Sequence, residues 1–83
     1  MPRSRPKPPT KEKVQVTFGA ALRAHREALH LTQEKVAELA DLHTNYVSSV
    51  ERGERNLGLH NIVRLAFALG MPVSSLMSEL DTQ

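Results

Sequence analysis

The stretch from Thr32 to Gly53, TQEKVAELADLHTNYVSSVERG, decides the fold of this 83-residue chain. Its apolar residues recur at helical spacing on either side of one interruption, in the order Val36, Ala37, Leu39, Ala40, Leu42, Tyr46, Val47 and Val50. Apolar side chains spaced three or four residues apart indicate a helix with one buried face. The stretch therefore predicts two short helices joined by a tight turn.

The residues at the ends of these two segments fit helix boundaries. Thr32 is the predicted N-cap of the first helix, which ends near Ala40. Asp41 falls in the turn, where aspartate tolerates the left-handed backbone conformation. The next helix is predicted over residues 44–52 and closes at Gly53, because glycine is common just past a helix end. Together these features indicate a helix-turn-helix.

Three further helices are predicted around this unit, over residues 17–29, 59–69 and 73–80. The first has Thr17 as its N-cap and ends where His30 would adopt the left-handed conformation. Gly70 ends the second, and Pro72 opens the third, because proline is favoured at helix starts. No segment has the pattern of a strand, so we expect an all-α bundle of five helices.

Composition limits the classes of function. Eighty-three residues hold one small domain, in which an enzyme cleft is hard to house. The chain has no cysteine, its four histidines lack metal-ligand spacing, and no nucleophile–base arrangement is legible. No apolar run approaches the roughly 18 residues of a membrane span, and no signal peptide is recognisable. We therefore expect no enzyme, no metal, no cofactor and no membrane partner, and a cytoplasmic location.

The second helix of the motif has two unlike faces. Tyr46, Val47 and Val50 are expected to anchor it to the bundle. The polar residues expected to point away are Thr44, Asn45, Ser48, Ser49 and Arg52. Short hydroxyl and amide groups suit close approach to base edges in the major groove of DNA. An ordinary amphipathic surface helix has the same pattern, so this face alone leaves both interpretations open.

The N-terminal segment differs in charge from the rest of the chain. Residues 1–16 contain four of the five prolines and five cations (Arg3, Arg5, Lys7, Lys11, Lys13) against Glu12. These residues therefore have a net charge of +4. Because the net charge of the whole chain is +2, that of residues 17–83 is −2. We expect a flexible, disordered basic arm followed by a folded domain over 17–83. The arm is either a solvated leader without a role or a segment that follows a DNA groove or phosphate backbone.

Three separated motifs make the comparison with a known family specific. They are Phe18, Leu22, Arg26 and Leu29 to Ala37; Tyr46-Val47-Ser48 with Glu51-Arg52-Gly53; and Ile62, Leu65-Ala66 and Leu69-Gly70. Residues 18–77 thereby resemble the Xre/Cro/repressor-type helix-turn-helix domain, which implies a lambda-repressor-like bundle. The stretch 42–56 is most similar to the controller proteins of restriction–modification systems, which are small dimeric transcription regulators.

The resemblance also implies roles for single residues. It implies base contacts for Thr44, Asn45, Ser48 and Ser49, and Asn45 can pair with adenine through two hydrogen bonds. It implies phosphate contacts for Gln33, Tyr46, Arg52, Arg55 and Asn56, although both arginines could instead be solvated beside Glu51 and Glu54. Arg26 and Glu51 match a structural ion pair of the family. Thr44 stands where controllers often carry arginine, so their operator sequence does not transfer.

One such unit would contact too few base pairs for useful selectivity. Related proteins pair two units so that the recognition helices lie about 34 Å apart, one turn of DNA. The expected dimer interface comprises Ile62, Phe67, Leu76, Met77 and Leu80. Alternatively, the last helix packs entirely within its own subunit.

The leading hypothesis is a homodimeric, sequence-specific transcription regulator that binds a near-palindromic operator in double-stranded DNA. It would repress or activate by occupying promoter DNA, with RNA polymerase as a further partner and the bacterial nucleoid as its location when bound. The competing hypothesis is an antitoxin-like or adaptor module for protein interaction, in which the polar face is merely solvated.

Overall fold

The computed structural model describes residues 5–82, and within this range all regular structure is helical. The elements are α1 (Lys11–Ala28), α2 (Gln33–Ala40), α3 (Thr44–Glu51), α4 (Leu59–Ala68), α5 (Val73–Leu76) and a final 3₁₀ helix (Ser78–Thr82). The predicted all-α bundle is confirmed. None of the described helices combines the length and the apolar character that a membrane span requires.

The core draws at least one fully buried side chain from every α-helix. The largest of these are Leu22, Val36, Val47, Val50, Leu65 and Leu76. Burial of one such side chain stabilises the fold by about 1.5–3 kcal/mol. Through this core α3 packs on α1 and α2, while α4 packs on α2 and α5. As a result α3 is held by one face only, and its other face remains at the surface.

Two turns use residues other than glycine in the left-handed conformation. His30 has φ of 57° and Asp41 has φ of 56°, as predicted for both. Gly53 and Gly70 adopt φ of 76° and 66° just past α3 and α4. The predicted ends of α2, α3 and α4 are therefore confirmed to within one residue.

The first helix begins seven residues before its predicted start, since its N-cap is Thr10 and not Thr17. Thr10 is the N-cap, and its hydroxyl accepts a hydrogen bond from the Lys13 amide at 3.1 Å. The added turns are also held by the bundle, because Gln15 Nε2 donates to the carbonyl oxygen of Gly53 at 3.1 Å. The arm boundary predicted at residue 16 is therefore wrong. Residues 5–10 are exposed and not helical, and residues 1–4 lie outside the described part of the chain.

The last predicted helix is shorter than expected. One α-helical turn ends at Leu76, and residues 78–82 continue as a 3₁₀ helix. The hydroxyl of Ser78 shares its proton between the carbonyl oxygen of Ser75 at 3.0 Å, at the end of the turn, and the Glu79 carboxylate at 2.8 Å. Serine hydroxyls compete in this way with the backbone hydrogen bonds of a helix. Apolar spacing of three residues suits both helix types, so the sequence pattern could not separate them.

Candidate nucleic-acid interface

The close approach of α1 to α3 depends on a glycine. Gly19 lies against the backbone carbonyls of Val50 and Glu51 at the end of α3, with no room for a Cβ. Val47 and Val50 are both at most 1% exposed on the same side of α3. The buried face of α3 is therefore fixed, which determines which residues its outer face presents.

A buried ion pair also holds α3 in place. Arg26 Nε and Nη2 donate to the two carboxylate oxygens of Glu51 at 2.7 and 3.0 Å, and Arg26 Nη1 donates to the Leu31 carbonyl. The two side chains are 13% and 3% exposed. Donation to Glu51 raises the pKa of Arg26 above its ordinary value. The expected pair between α1 and α3 is thus present and has a scaffold role.

Gln33 connects the start of α2 to this pair. Its Nε2 donates to Glu51 Oε1 at 3.0 Å, so one carboxylate receives hydrogen bonds from both α1 and α2. This contact explains how Gln33 can support α3. Its phosphate contact remains a prediction, which the unpaired backbone N–H groups of a helix start favour.

Three of the four residues expected to contact bases lie on the accessible side of α3. Asn45 is exposed, and its side-chain amide makes no hydrogen bond within residues 5–82. Thr44 and Ser48 are half-buried. The N-cap of α3 is His43, whose Nδ1 accepts a hydrogen bond from the backbone N–H of Asn45 at 3.0 Å. Sequence reasoning gave His43 no such role, because histidine is not a common N-cap residue.

Ser49 has a different environment from the other three. It is 5% exposed, its hydroxyl donates to the Tyr46 carbonyl at 2.8 Å, and it accepts from Arg55 Nε at 2.9 Å. The expectation that Ser49 points away from the bundle is therefore wrong. Ser49 lies one turn after Asn45, at the edge of the accessible side, where the Tyr46 carbonyl and the Arg55 side chain cover it. In this conformation its hydroxyl has two hydrogen-bond partners within the chain, and its base contact stays a prediction.

Arg52 follows α3 and is paired within the chain. Its Nε and Nη2 donate to the two carboxylate oxygens of Glu54, both at 3.1 Å, and its Nη1 donates to the Ser48 hydroxyl. This donation lowers the pKa of the Glu54 carboxyl. Both side chains are more than half exposed, so the pair contributes little to stability. A phosphate has the same fork-shaped acceptor geometry as this carboxylate and can replace it.

Arg55 lies on the loop that follows α3, over the ring of Tyr46. Its guanidinium carbon is 5.5 Å from the ring centroid, within the range of a cation–π interaction. The Tyr46 hydroxyl accepts from Asn61 Nδ2 of α4 at 3.1 Å. Asn61 was not predicted, because its proximity to Tyr46 depends on how α4 packs. Asn56, next to Arg55, is exposed.

The sequence model of the helix-turn-helix family matches this chain over residues 22–76, and this range is more than half of the chain. The chain belongs to the helix-turn-helix family. Members of this family are DNA-binding transcription regulators, so the protein is such a regulator and not an enzyme. Both expectations are thereby confirmed.

Relatives of this helix-turn-helix protein include control proteins from bacteria. It is 42% identical to the control protein C.SmaI of Serratia marcescens over 69% of this chain and 68% of that one. It is 35% identical to the control protein C.MunI of a Mycoplasma species over 84% and 96%. The crystal structure of the restriction–modification controller protein C.AhdI from Aeromonas hydrophila superposes with a TM-score of 0.73 at 47% identity, covering 75% and 94%. The resemblance to controller proteins is confirmed.

The helix-turn-helix protein also carries an exposed apolar face on α4. Phe67 and Leu59 are 79% and 76% exposed, and Val63 lies between them at four-residue spacing. Leu39 of α2, half exposed, lines with Val63 and Phe67 a surface pocket of about 370 Å³. We refer to Leu39, Leu59, Val63 and Phe67 as the α4 face. Leu39, Leu59 and Phe67 are exposed, and Val63 is partly buried.

Burial divides the residues that were predicted for the dimer interface. Leu76 is only 1% exposed and belongs to the core of its own subunit, so its assignment to the interface is wrong. The half-buried residues of the predicted set also pack on that core: Ile62, Met77 and Leu80. Of the predicted set Phe67 alone is exposed. Leu76 was misassigned because an apolar residue at helical spacing can face either its own core or a partner, and the interface roles of Ile62, Met77 and Leu80 stay predictions.

The four cations that the structure describes within residues 5–16 are exposed. Arg5, Lys7, Lys11 and Lys13 make no ion pair within residues 5–82, and Arg3 lies outside this range. Both interpretations of the basic arm therefore stay predictions. Within residues 5–82 no three histidine, aspartate or glutamate side chains are grouped to hold a metal ion.

Proposed function

We propose that this protein binds double-stranded DNA as a homodimer and reads a near-palindromic operator through α3. The observation that supports this most strongly is the exposed side of α3, where Thr44, Asn45 and Ser48 adjoin one another. The opposite side of the helix is fixed to the bundle, as a recognition helix in the major groove requires. The relatives named as control proteins favour a role in controlling transcription.

The proposed contacts fall into two classes. Asn45, with its free amide, is the principal reader of a base, and Thr44 and Ser48 flank it. Contacts to the phosphate backbone come from the positions around this face, namely Gln33, Tyr46, Arg52, Arg55 and Asn56. Phosphate contacts fix register and orientation, whereas base contacts specify sequence. Bound to a promoter in the cytoplasm, the protein would repress or activate transcription by its position relative to RNA polymerase.

Two asparagines provide a matched test of these classes. A duplex is first selected from random-sequence DNA by the wild-type protein. Asn45→Ala is expected to weaken binding to this duplex by about 10-fold or more and to relax the preference at one position in each half-site, because a bidentate base contact is worth about 1–3 kcal/mol. Asn56→Ala is expected to weaken binding to every duplex by a similar factor, without a change in preference. Gel-shift titrations against single-base variants of the duplex measure both effects.

Two outcomes of this experiment would contradict the proposal. If the wild-type protein selects no sequence, the polar side of α3 is not a reading surface, and an adaptor or antitoxin-like role gains support. If Asn45→Ala and Asn56→Ala weaken all duplexes alike, the base contact lies elsewhere on the protein.

The α4 face is the proposed contact with a second copy of the chain. Monomers rarely expose large apolar side chains side by side, and a contiguous exposed patch marks an interaction site. A two-fold symmetric contact would place the same face of both subunits together, which buries Phe67 twice. The pocket beside Phe67, between α2 and α4, offers a recess for the partner's apolar side chains.

Phe67→Glu is expected to raise the dimer dissociation constant by about 100-fold or more, because two phenyl groups lose their burial. Sedimentation velocity across a concentration series measures the change. Leu29→Glu is the matched control, since Leu29 is also exposed and apolar but lies at the end of α1. This variant is expected to remain dimeric. A dimer that survives Phe67→Glu but dissociates with Leu29→Glu would place the interface at the α1–α2 turn.

A further inference from the structure

We infer that Ser49 is a positioning residue, which together with Tyr46 holds the Arg55 guanidinium in the orientation that meets a DNA phosphate. This inference rests on the proposed function and deepens it. It replaces the expected base contact of Ser49 by an indirect role. It also gives Asn61 an indirect role in the DNA-binding surface, because Asn61 holds Tyr46.

The guanidinium of Arg55 is fixed at one edge and on one face. At its edge, Nε donates to the Ser49 hydroxyl at 2.9 Å. On its face, it lies over the Tyr46 ring. An arginine side chain has many rotamers, so two such contacts remove much of the freedom that binding would otherwise have to remove.

The partners of Arg55 are themselves held by the fold. The Ser49 hydroxyl is buried and donates its own proton to the Tyr46 carbonyl, so its lone pairs are available to Arg55. The Tyr46 ring is tied to α4, because its hydroxyl accepts from Asn61 Nδ2. Arg55 is therefore connected to α3 and α4, although it lies on the exposed loop between them.

The outer edge of this guanidinium remains open. Nη1 and Nη2 of Arg55 make no hydrogen bond within residues 5–82. These two nitrogens form the fork that binds two oxygens of one phosphate. The hydrogen-bond acceptor of Arg55 is a neutral hydroxyl, whereas Arg52 is occupied by the Glu54 carboxylate. Arg55 can therefore bind an anion through Nη1 and Nη2 without losing an existing hydrogen bond. Arg52 must first release the Glu54 carboxylate before it can bind a phosphate.

The position of Arg55 favours the DNA backbone over a base. Its anchor, Ser49, is buried one helical turn after the exposed Asn45, and the ring that the guanidinium faces, Tyr46, is bonded to α4. The fork is thus placed at the flank of α3, beside the start of α4. The edges of a recognition helix adjoin the phosphates that border the major groove.

A double-mutant cycle tests the inference with the duplex that the wild-type protein selects. Arg55→Gln is expected to weaken binding about 5-fold or more and to reduce the salt slope, log Kd against log salt, by about one unit. Ser49→Ala is expected to weaken binding about 3-fold, and by no more than Arg55→Gln does, because Arg55 must then be ordered on binding; the base preferences are expected to stay unchanged. The double variant is expected to bind no more weakly than Arg55→Gln alone, since Ser49 acts only through Arg55.

Ser48→Ala is the matched control, one residue away on the exposed side of α3. Its effect on binding is expected to add to that of Arg55→Gln, because Ser48 bonds to Arg52 and not to Arg55. Thermal unfolding of each variant confirms that it is folded, and Arg55→Gln changes only an exposed side chain. Tyr46→Leu removes the ring under the guanidinium. Its effect on DNA binding is expected not to add to that of Arg55→Gln, as for Ser49→Ala.

Three outcomes would overturn the inference while leaving the proposed function intact. Additive effects of Ser49→Ala and Arg55→Gln would show that Ser49 does not act through Arg55. A change of base preference in Ser49→Ala would restore the direct contact expected from the sequence. An unchanged salt slope in Arg55→Gln would remove the phosphate contact. Loss of sequence preference in the wild-type protein would instead refute the proposed function itself.

Discussion

Glu51→Ala is expected to lower the free energy of unfolding by about 3–5 kcal/mol, the largest effect of any single change considered for this protein. The substitution removes the acceptor of three hydrogen bonds, two from Arg26 and one from Gln33. Arg26 would remain as a largely buried cation without its carboxylate. Small domains are stable by only about 5–15 kcal/mol, so much of the stability would be lost. Urea denaturation followed by circular dichroism measures this loss.

Glu54→Ala is the matched control for this prediction. Glu54 also accepts two hydrogen bonds from an arginine, Arg52, but both side chains are more than half exposed. Solvent screening makes such a pair nearly neutral for stability. We expect an unchanged urea midpoint for Glu54→Ala. Equal losses in the two variants would contradict the assignment of Glu51 to the scaffold.

Gly19→Ala is expected to destabilise the protein by about 2–3 kcal/mol, although alanine is the better helix former. An added Cβ would overlap the carbonyl oxygen of Val50 and lie 2.9 Å from that of Glu51. Both obstacles are backbone atoms, which cannot rotate away as a side chain can. The helices α1 and α3 would have to separate, which also disturbs the Arg26–Glu51 pair. Thermal and urea unfolding measure the change.

Ala20→Gly provides the control for this second prediction. Ala20 is the exposed neighbour of Gly19 in α1, so its replacement reports helix propensity alone. We expect a loss of about 1 kcal/mol. The two opposite substitutions would then both destabilise the same helix. If Gly19→Ala instead stabilised the protein, the contact between α1 and the end of α3 would be looser than the structure shows.

The sequence predicted the helices whose ends are set by local chemistry. Thr32, Asp41 and Gly53 mark boundaries through capping or the left-handed conformation, which are properties of single residues. It failed where tertiary contacts decide. The start of α1 depends on Thr10 and on the bond from Gln15 to Gly53, which is 38 residues away in sequence. At the end of α5 the hydroxyl of Ser78 contacts the carbonyl oxygen of Ser75, a bond that competes with a further helical turn.

The candidate site divides in the same way. The position of Thr44, Asn45 and Ser48 on the accessible side of α3 followed from the helical spacing of the apolar residues. The burial of Ser49 did not, because a buried serine requires partners, and one of them, Arg55, comes from the following loop. The assignment of Leu76 to the dimer interface failed for a similar reason, since its burial is decided by the packing of the whole bundle. The helical spacing of apolar residues alone cannot distinguish a core position from an interface position.

Competition binding measures most directly whether α3 reads base sequence. The wild-type protein is bound to a labelled duplex selected from random DNA, and either the same unlabelled duplex or one of scrambled sequence is added at physiological salt. We expect a preference of about 1,000-fold or more for the selected duplex. Its two half-sites should be related by symmetry, with centres about one DNA turn apart. Equal competition by the scrambled duplex would contradict sequence-specific recognition by this protein.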